Sequence, residues 1–143
     1  WPVAYREGIE YLPPPTGYSV ASTRPLLSFN QDYMAWQSPK KFDLIITNPP
    51  FSLAQEFLET SRKHLAPGGK IVFLLPLTWL ASRRRWKAVF QISDNRPESI
   101  HVLVERPSFT GGGTNATEYG IFVWGDCNIE ATKVSWVPPR ANP

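Results

Sequence analysis

At 143 residues the chain has room for one domain and little more. With 42% hydrophobic and 19% charged residues, it has the balance of a folded protein rather than a disordered tail. No run approaches the roughly 20 apolar residues of a membrane span, and the start shows no basic-then-apolar leader pattern. One cysteine, Cys127, excludes an internal disulfide, and with only His64 and His101 beside it a zinc cluster of the usual spacings is excluded as well. The net charge is +3, yet residues 62–106 carry nine Lys/Arg against three Asp/Glu, while both flanks carry more acidic than basic residues. That asymmetry suits a surface facing a polyanion or, equally, a solvated basic face.

In chain order, Tyr11–Gly17 holds three consecutive prolines and cannot continue a helix or a central strand, so residues 1–30 read as an irregular arm. Short strands at Ser19–Ser22 and Leu26–Phe29 are expected within it. Asp43–Thr47 is a β-branched apolar run with the signature of a strand buried on both faces. It stops at Asn48-Pro49-Pro50. Ser52 then offers an N-cap with Gln55 completing a capping box, and Leu53, Phe57, Leu58, Ser61 and Leu65 follow at helical spacing. Pro67-Gly68-Gly69 is expected to stop that helix. Lys70–Leu75 reads as a second buried strand closed by Pro76. A basic helix follows from about Ser82, with Trp86, Val89 and Phe90 as its apolar stripe. Ser99–Glu105 and Tyr119–Trp124 read as further strands, separated by a glycine-rich connection, and Thr132–Val137 as an edge strand before a proline-rich tail at 138–143. The pattern predicts one domain with an α/β core over residues 31–137, its sheet mostly parallel with one antiparallel strand.

The richest chemistry lies in Asn48-Pro49-Pro50-Phe51, where a strand hands over to a helix. Ligands of open α/β sheets bind outside the carboxyl ends of the strands. Pro49 biases Asn48 toward extended geometry, and the two prolines remove two backbone donors, leaving carbonyls without a competing N–H. Asn48 adds a side-chain acceptor, and Phe51 a flat face for a heterocycle. Converging acceptors grip both protons of an aromatic amine and favour a pyramidal nitrogen whose lone pair can attack a sulfonium methyl.

Asn48-Pro49-Pro50-Phe51 resembles the N-P-P-[YF] motif of the N6-adenine amino-methyltransferases. Pro107–Gly113 and Thr117-Glu118-Tyr119 are similar to segments of the orphan DNA adenine methyltransferases of phages and prophages, and the wider resemblance implies a restriction-modification context. The likeness runs from about Phe29 to Trp124. It implies a Rossmann-like class I methyltransferase sheet with S-adenosylmethionine as cofactor, no metal, and DNA as partner, acting in the cytoplasm of a bacterium or phage-infected cell. It also implies roles: Asn48 and the Pro49 carbonyl accept from the target amine, Asn48 borders the cofactor, and Phe51 stacks on the extruded base. Asp32 would contact the cofactor's adenine amine with Tyr33 beside the ring, and Phe109 would wall the base pocket. Arg83, Arg84 and Arg85 would contact phosphate, unless they only form a solvated face. His101, inside an apolar strand, reads as structural. Trp79, just past a strand end, is the one tryptophan placed to line a pocket.

The family's acidic-x-Gly-x-Gly cofactor fingerprint has no match before Asp32, where Gly8 and Gly17 stand isolated. The N-terminal part of the expected sheet is therefore incomplete: the sequence begins late, a partner chain supplies the rest, or methyl transfer has been lost. The strand Asp43–Thr47 would then have an open edge, covered by Ser19–Phe29 or by a second copy of the chain. Two other functions fit the same residues: an inactive methyltransferase-like module that binds nucleic acid or an active subunit, and a methyltransferase acting on RNA or on a protein glutamine amide.

Overall fold

The computed structural model describes residues 32–91, 95–105, 107, 117–125 and 130–139. The chain divides into two compact units, Trp1–Gln37 and Ser38–Pro143. The expected strands Ser19–Ser22 and Leu26–Phe29, and with them the expected cover for the strand edge, lie outside the described residues, as do Cys127 and Phe109.

The second unit is built as β1 (Phe42–Thr47), a 3-10 turn (Phe51–Leu53), α1 (Ala54–His64), β2 (Leu65–Pro76), a second 3-10 turn (Leu77–Leu80), a helical turn α2 (Arg83–Arg85) that widens into a π-helical turn (Trp86–Phe90), then β3 (Ser99–Leu103), β4 (Tyr119–Trp124) and β5 (Lys133–Val137). The five strands form one sheet in the order β1-β2-β4-β3-β5. β1 and β2 are parallel, as are β3 and β5, while β4 runs antiparallel to both its neighbours. This is the α/β sheet with one reversed strand that the pattern predicts.

α1 starts differently from expectation. Leu53, not Ser52, occupies the N-cap, with no side-chain cap, and Gln55 Nε2 turns forward to Glu59 Oε1 at 3.1 Å instead of closing a box. The cause is upstream: the Leu53 N–H bonds the Pro50 carbonyl at 2.9 Å, so a 3-10 turn absorbs Ser52 into its middle. Leu53 consequently stays 44% exposed, while Ala54, Phe57, Leu58, Ser61 and His64 are buried. The helix also ends before the Pro67-Gly68-Gly69 signal. Leu65 is already extended, two residues before Pro67, which has no N–H to bond the Lys63 carbonyl and so cannot continue the helix. That tripeptide instead forms an irregularity inside β2: the pairing runs from Phe42↔Leu65 to Leu44↔Lys70, so two steps along β1 face five along β2. Gly68 takes φ +75°, open only to glycine without strain, and a Cβ on Gly69 would sit 2.9 Å from the Ala66 carbonyl oxygen and 3.0 Å from that of Asp43. β2 is thus longer than Lys70–Leu75 at both ends, and β3 stops at Leu103 rather than Glu105.

Cross-strand register sorts side chains by face. Ile45, Ile71, Phe73, Leu75, Phe122, Trp124 and Ile100 share one face, and all but Ile45 are fully or almost fully buried. Trp79 packs edge-on against this layer, 5.7 Å from Phe122 and 6.1 Å from Trp124, with Phe90 at 5.8 Å on its other side. At 3% exposure Trp79 is a core residue rather than a pocket wall, because the 3-10 turn folds it back over the sheet. The opposite face is open at β1: Leu44 is 53% and Ile46 65% exposed, so this strand is not buried on both faces. Among the described residues β1 pairs with β2 alone and forms a sheet edge. At the other edge every residue of β5 is exposed. His101 is a structural link there, its ring nitrogens 3.1 Å from Ser99 Oγ and 2.6 Å from Ser135 Oγ.

Candidate active site

At the carboxyl end of β1, Thr47 and Pro49 are buried, Asn48 is half-buried, and Pro50 and Phe51 are exposed. Buried Pro49 anchors the loop. Pro50 (φ −54°, ψ 122°) directs the chain into the 3-10 turn, and its carbonyl is engaged by Leu53. The turn presents the Phe51 ring, 39% exposed, at the rim. Phe51 rests 6.0 Å from the ring of Tyr119, tilted by 52°. Tyr119 is itself buried and pairs in register with Pro76 at the end of β2, while the Leu77 N–H bonds the Glu118 carbonyl at 2.9 Å. The Thr117-Glu118-Tyr119 segment, 68 residues downstream in the case of Tyr119, is thereby brought against the Asn48–Phe51 loop. Sequence reasoning had given Tyr119 no role of its own. Its signal was the strand start directly after a glycine-rich connection.

The three consecutive arginines diverge. Arg84 Nη2 pairs with Glu56 Oε1 at 3.0 Å, tying the basic turn to the first turn of α1, five residues past Phe51. Arg85 turns inward: its guanidinium lies 5.4 Å over the Trp79 ring, Nε donates to the Trp79 carbonyl, and Nη2 reaches the Thr78 carbonyl at 3.4 Å. Burial, and after it the charge of Arg84, lowers the Arg85 pKa from its ordinary value. Arg83 is exposed and makes no ion pair among the described residues. The expected helix from Ser82 does form, with the Ser82 side chain accepting from the Arg85 N–H at 3.5 Å. Its stripe differs in one member: Val89 is buried, but Trp86 is 58% exposed because the π-helical widening turns it outward.

Asp32 and Tyr33 lie in the first unit. The Asp32 carboxylate accepts from the Met34 N–H at 3.0 Å, and its carbonyl accepts from Ala35 and Trp36 at 3.1 and 2.9 Å. Tyr33 sits 6.4 Å from Trp36. A carboxylate next in sequence to an aromatic residue has chemistry that fits an adenine: an acceptor for its amine and a flat side chain for its ring.

The five-stranded α/β sheet with one reversed strand is that of the class I methyltransferase fold. Residues 20–93 match the Methyltransferase small domain family, and the chain belongs to it. The chain is similar to a Listeria monocytogenes structure described as a class I S-adenosylmethionine-dependent methyltransferase, with a TM-score of 0.56 at 16% identity over 76% of this chain and 41% of that one. A structure from a type I R-M system, reported for its complex assembly and conformational transition, matches with a TM-score of 0.53 at 15% identity, over 71% of this chain and 25% of the other. In sequence, a tRNA1(Val) (adenine(37)-N6)-methyltransferase of Glaesserella parasuis serovar 5 is 39% identical over 64 residues, covering 32% of this chain and 27% of the relative. The chain therefore spans less than half the length of each of these proteins.

Proposed function

We propose that this chain carries the target-base site of a nucleic-acid adenine-N6 methyltransferase that uses S-adenosylmethionine. The observation that carries the reading is the Phe51–Tyr119 pair standing directly after Asn48-Pro49-Pro50 at the carboxyl end of β1. Phe51 offers an exposed ring held from behind, so an extruded adenine stacks on a surface that needs no ordering first. Asn48 Oδ1 and the Pro49 carbonyl accept the two protons of the exocyclic amine, drawing its lone pair out of conjugation. The resemblance to the amino-methyltransferases assigns Asp32 and Tyr33 to the cofactor's adenine and Phe109, outside the described residues, to the base pocket. When bound, S-adenosylmethionine supplies an electrophilic methyl on a sulfonium, and the chain's residues supply position and charge stabilisation.

DNA is the substrate favoured by the residues after β3, Pro107–Gly113 and Thr117–Tyr119. A second reading, RNA, is supported by the tRNA methyltransferase relative. The test is transfer of labelled methyl from S-adenosylmethionine to adenine-containing DNA, to RNA and to a glutamine peptide, alongside calorimetry of cofactor binding. Transfer to a nucleic acid that falls at least about 100-fold in Asn48→Ala, with the fold intact by circular dichroism, is the expected result. Cofactor binding without any transfer to a base, or affinity for nucleic acid without cofactor binding, would replace this reading with that of an inactive binding module.

A further inference from the structure

Trp86 is an exposed aromatic residue outside the target-base site. We propose that Trp86, with Arg83 and Lys87, forms a separate platform for an unpaired nucleotide flanking the target base. This rests on the reading of the chain as a protein that acts on nucleic acid. Arg83, Trp86 and Lys87 stand at i, i+3 and i+4, the spacing that places side chains on one helical face. All three are exposed, and neither cation has an ion-pair partner among the described residues. Trp86 is 58% exposed although Val89 is buried and half-buried Phe90 packs on Trp79, so the same turn that sends two apolar residues inward ejects the largest one.

The exposure is not fraying. The Trp86 N–H bonds the Ser82 carbonyl at 2.8 Å, and the Trp86 carbonyl accepts from Gln91 at 2.7 Å. Asn95 Nδ2 holds the Ala88 carbonyl at 2.9 Å, and Arg96 Nη2 holds that of Phe90 at 2.8 Å. From below, Arg85 clamps the turn to Trp79, and Arg84 ties it to Glu56 in the helix that follows Phe51. A solvent-facing indole on the same face as two cations that have no ion-pair partner among the described residues is complementary to a base and its phosphates, since any base has a π-face and carries backbone charge beside it. A duplex does not fit, because its bases are already stacked on each other. The Arg84 tether joins the turn that carries Trp86 to Glu56, five residues past Phe51, on the helix that leads away from the Asn48–Phe51 loop.

The experiment is fluorescence anisotropy of the 143-residue chain with a labelled 12-nucleotide single strand, as DNA and as RNA, and with the corresponding duplex, in parallel with labelled methyl transfer. Trp86→Ala is expected to weaken single-strand binding about tenfold, and Trp86→Phe to hold it within about threefold. Intrinsic tryptophan fluorescence should be quenched by the single strand in the natural protein, and most of that quench should vanish in Trp86→Phe, which a merely structural role would not produce. Arg83→Ala with Lys87→Ala should flatten the dependence of log K on log salt by about 1.4, at about 0.7 per phosphate on a single strand. The platform is overturned if Trp86→Ala binds single strands as the natural protein does, if no single strand binds, or if a poly-glutamate peptide displaces the strand at equal concentration. Methyl transfer that persists while Trp86→Ala is indifferent removes the platform alone. Trp86-dependent binding without methyl transfer removes the enzymatic reading and leaves the platform standing.

Discussion

Three adjacent arginines separate into a tether, a clamp and a free charge, and identical side chains gave sequence reasoning no means of telling them apart. What divides them is the position of each on a turn whose pitch changes midway. The Arg84–Glu56 pair is exposed on its arginine side, 72% accessible, and half-buried at the glutamate, 33% accessible, and the solvated arginine keeps it near the class of surface pairs that contribute about 0–1 kcal/mol. Arg85 instead satisfies carbonyls at the end of the 3-10 turn and covers the Trp79 ring. Arg85→Ala should therefore destabilise the protein by about 1–2 kcal/mol and Arg84→Ala by less than about 1 kcal/mol, as read from urea unfolding midpoints at unchanged slope. Equal effects would mean that the inward contacts of Arg85 contribute nothing beyond its charge. Asn48 and Phe51 were, by contrast, legible residue by residue. Proline restricts its own backbone and its predecessor's so tightly that the Asn48–Phe51 loop has few shapes available, and all of them end a strand. The partner of Phe51, Tyr119, was hidden by distance along the chain.

Among the elements, β1, β4 and β5 were readable almost to the residue because their apolar runs are short and bounded by turn residues. The departures cluster where one local signal overrode another. Pro50 began a 3-10 turn and displaced the capping box, and Pro67 ended α1 before its glycines could. Those glycines then found a different use, as the irregularity that lets β2 start early beside β1. This assigns them distinct sensitivities. At Gly68 a methyl group meets nothing within 4 Å, and only the backbone conformation at φ +75° opposes it, at about 1 kcal/mol. At Gly69 the same methyl group meets two backbone carbonyls, one of them on β1, and neither can move without parting the strands. Gly69→Ala should lower the thermal midpoint more than Gly68→Ala, and it alone should raise the amide exchange rates of Phe42–Leu44. If Gly68→Ala proves the worse of the two, close approach to β1 is not what holds this position.

At the scale of the whole molecule, the sheet is asymmetric between its faces, and this asymmetry was the least legible property of the sequence. Leu44 and Ile46 have the same β-branched or apolar character as Ile45 and Ile71, and a run of such residues reads as buried on both sides. Burial is a property of what packs over a strand, which no periodicity within the strand records. The core face is closed by the interlocked rings of Phe73, Trp79, Phe122 and Trp124, with Trp124 Nε1 donating to the Asn95 carbonyl at 3.0 Å. The other face of β1 meets solvent. Two substitutions therefore separate the faces. Leu44→Thr with Ile46→Thr keeps strand propensity and removes apolar area that is already more than half exposed, so it should change stability by less than about 1 kcal/mol. Ile71→Ala, on the paired position of β2 and wholly buried, opens a cavity in the closed face and should be destabilising by about 2–5 kcal/mol. Urea unfolding of the two variants beside the natural chain measures both. A loss of several kcal/mol in the double threonine variant would show that something covers Leu44 and Ile46 in solution. The concentration dependence of that loss then separates a second copy of the chain from a segment of the same one, since only the former follows mass action.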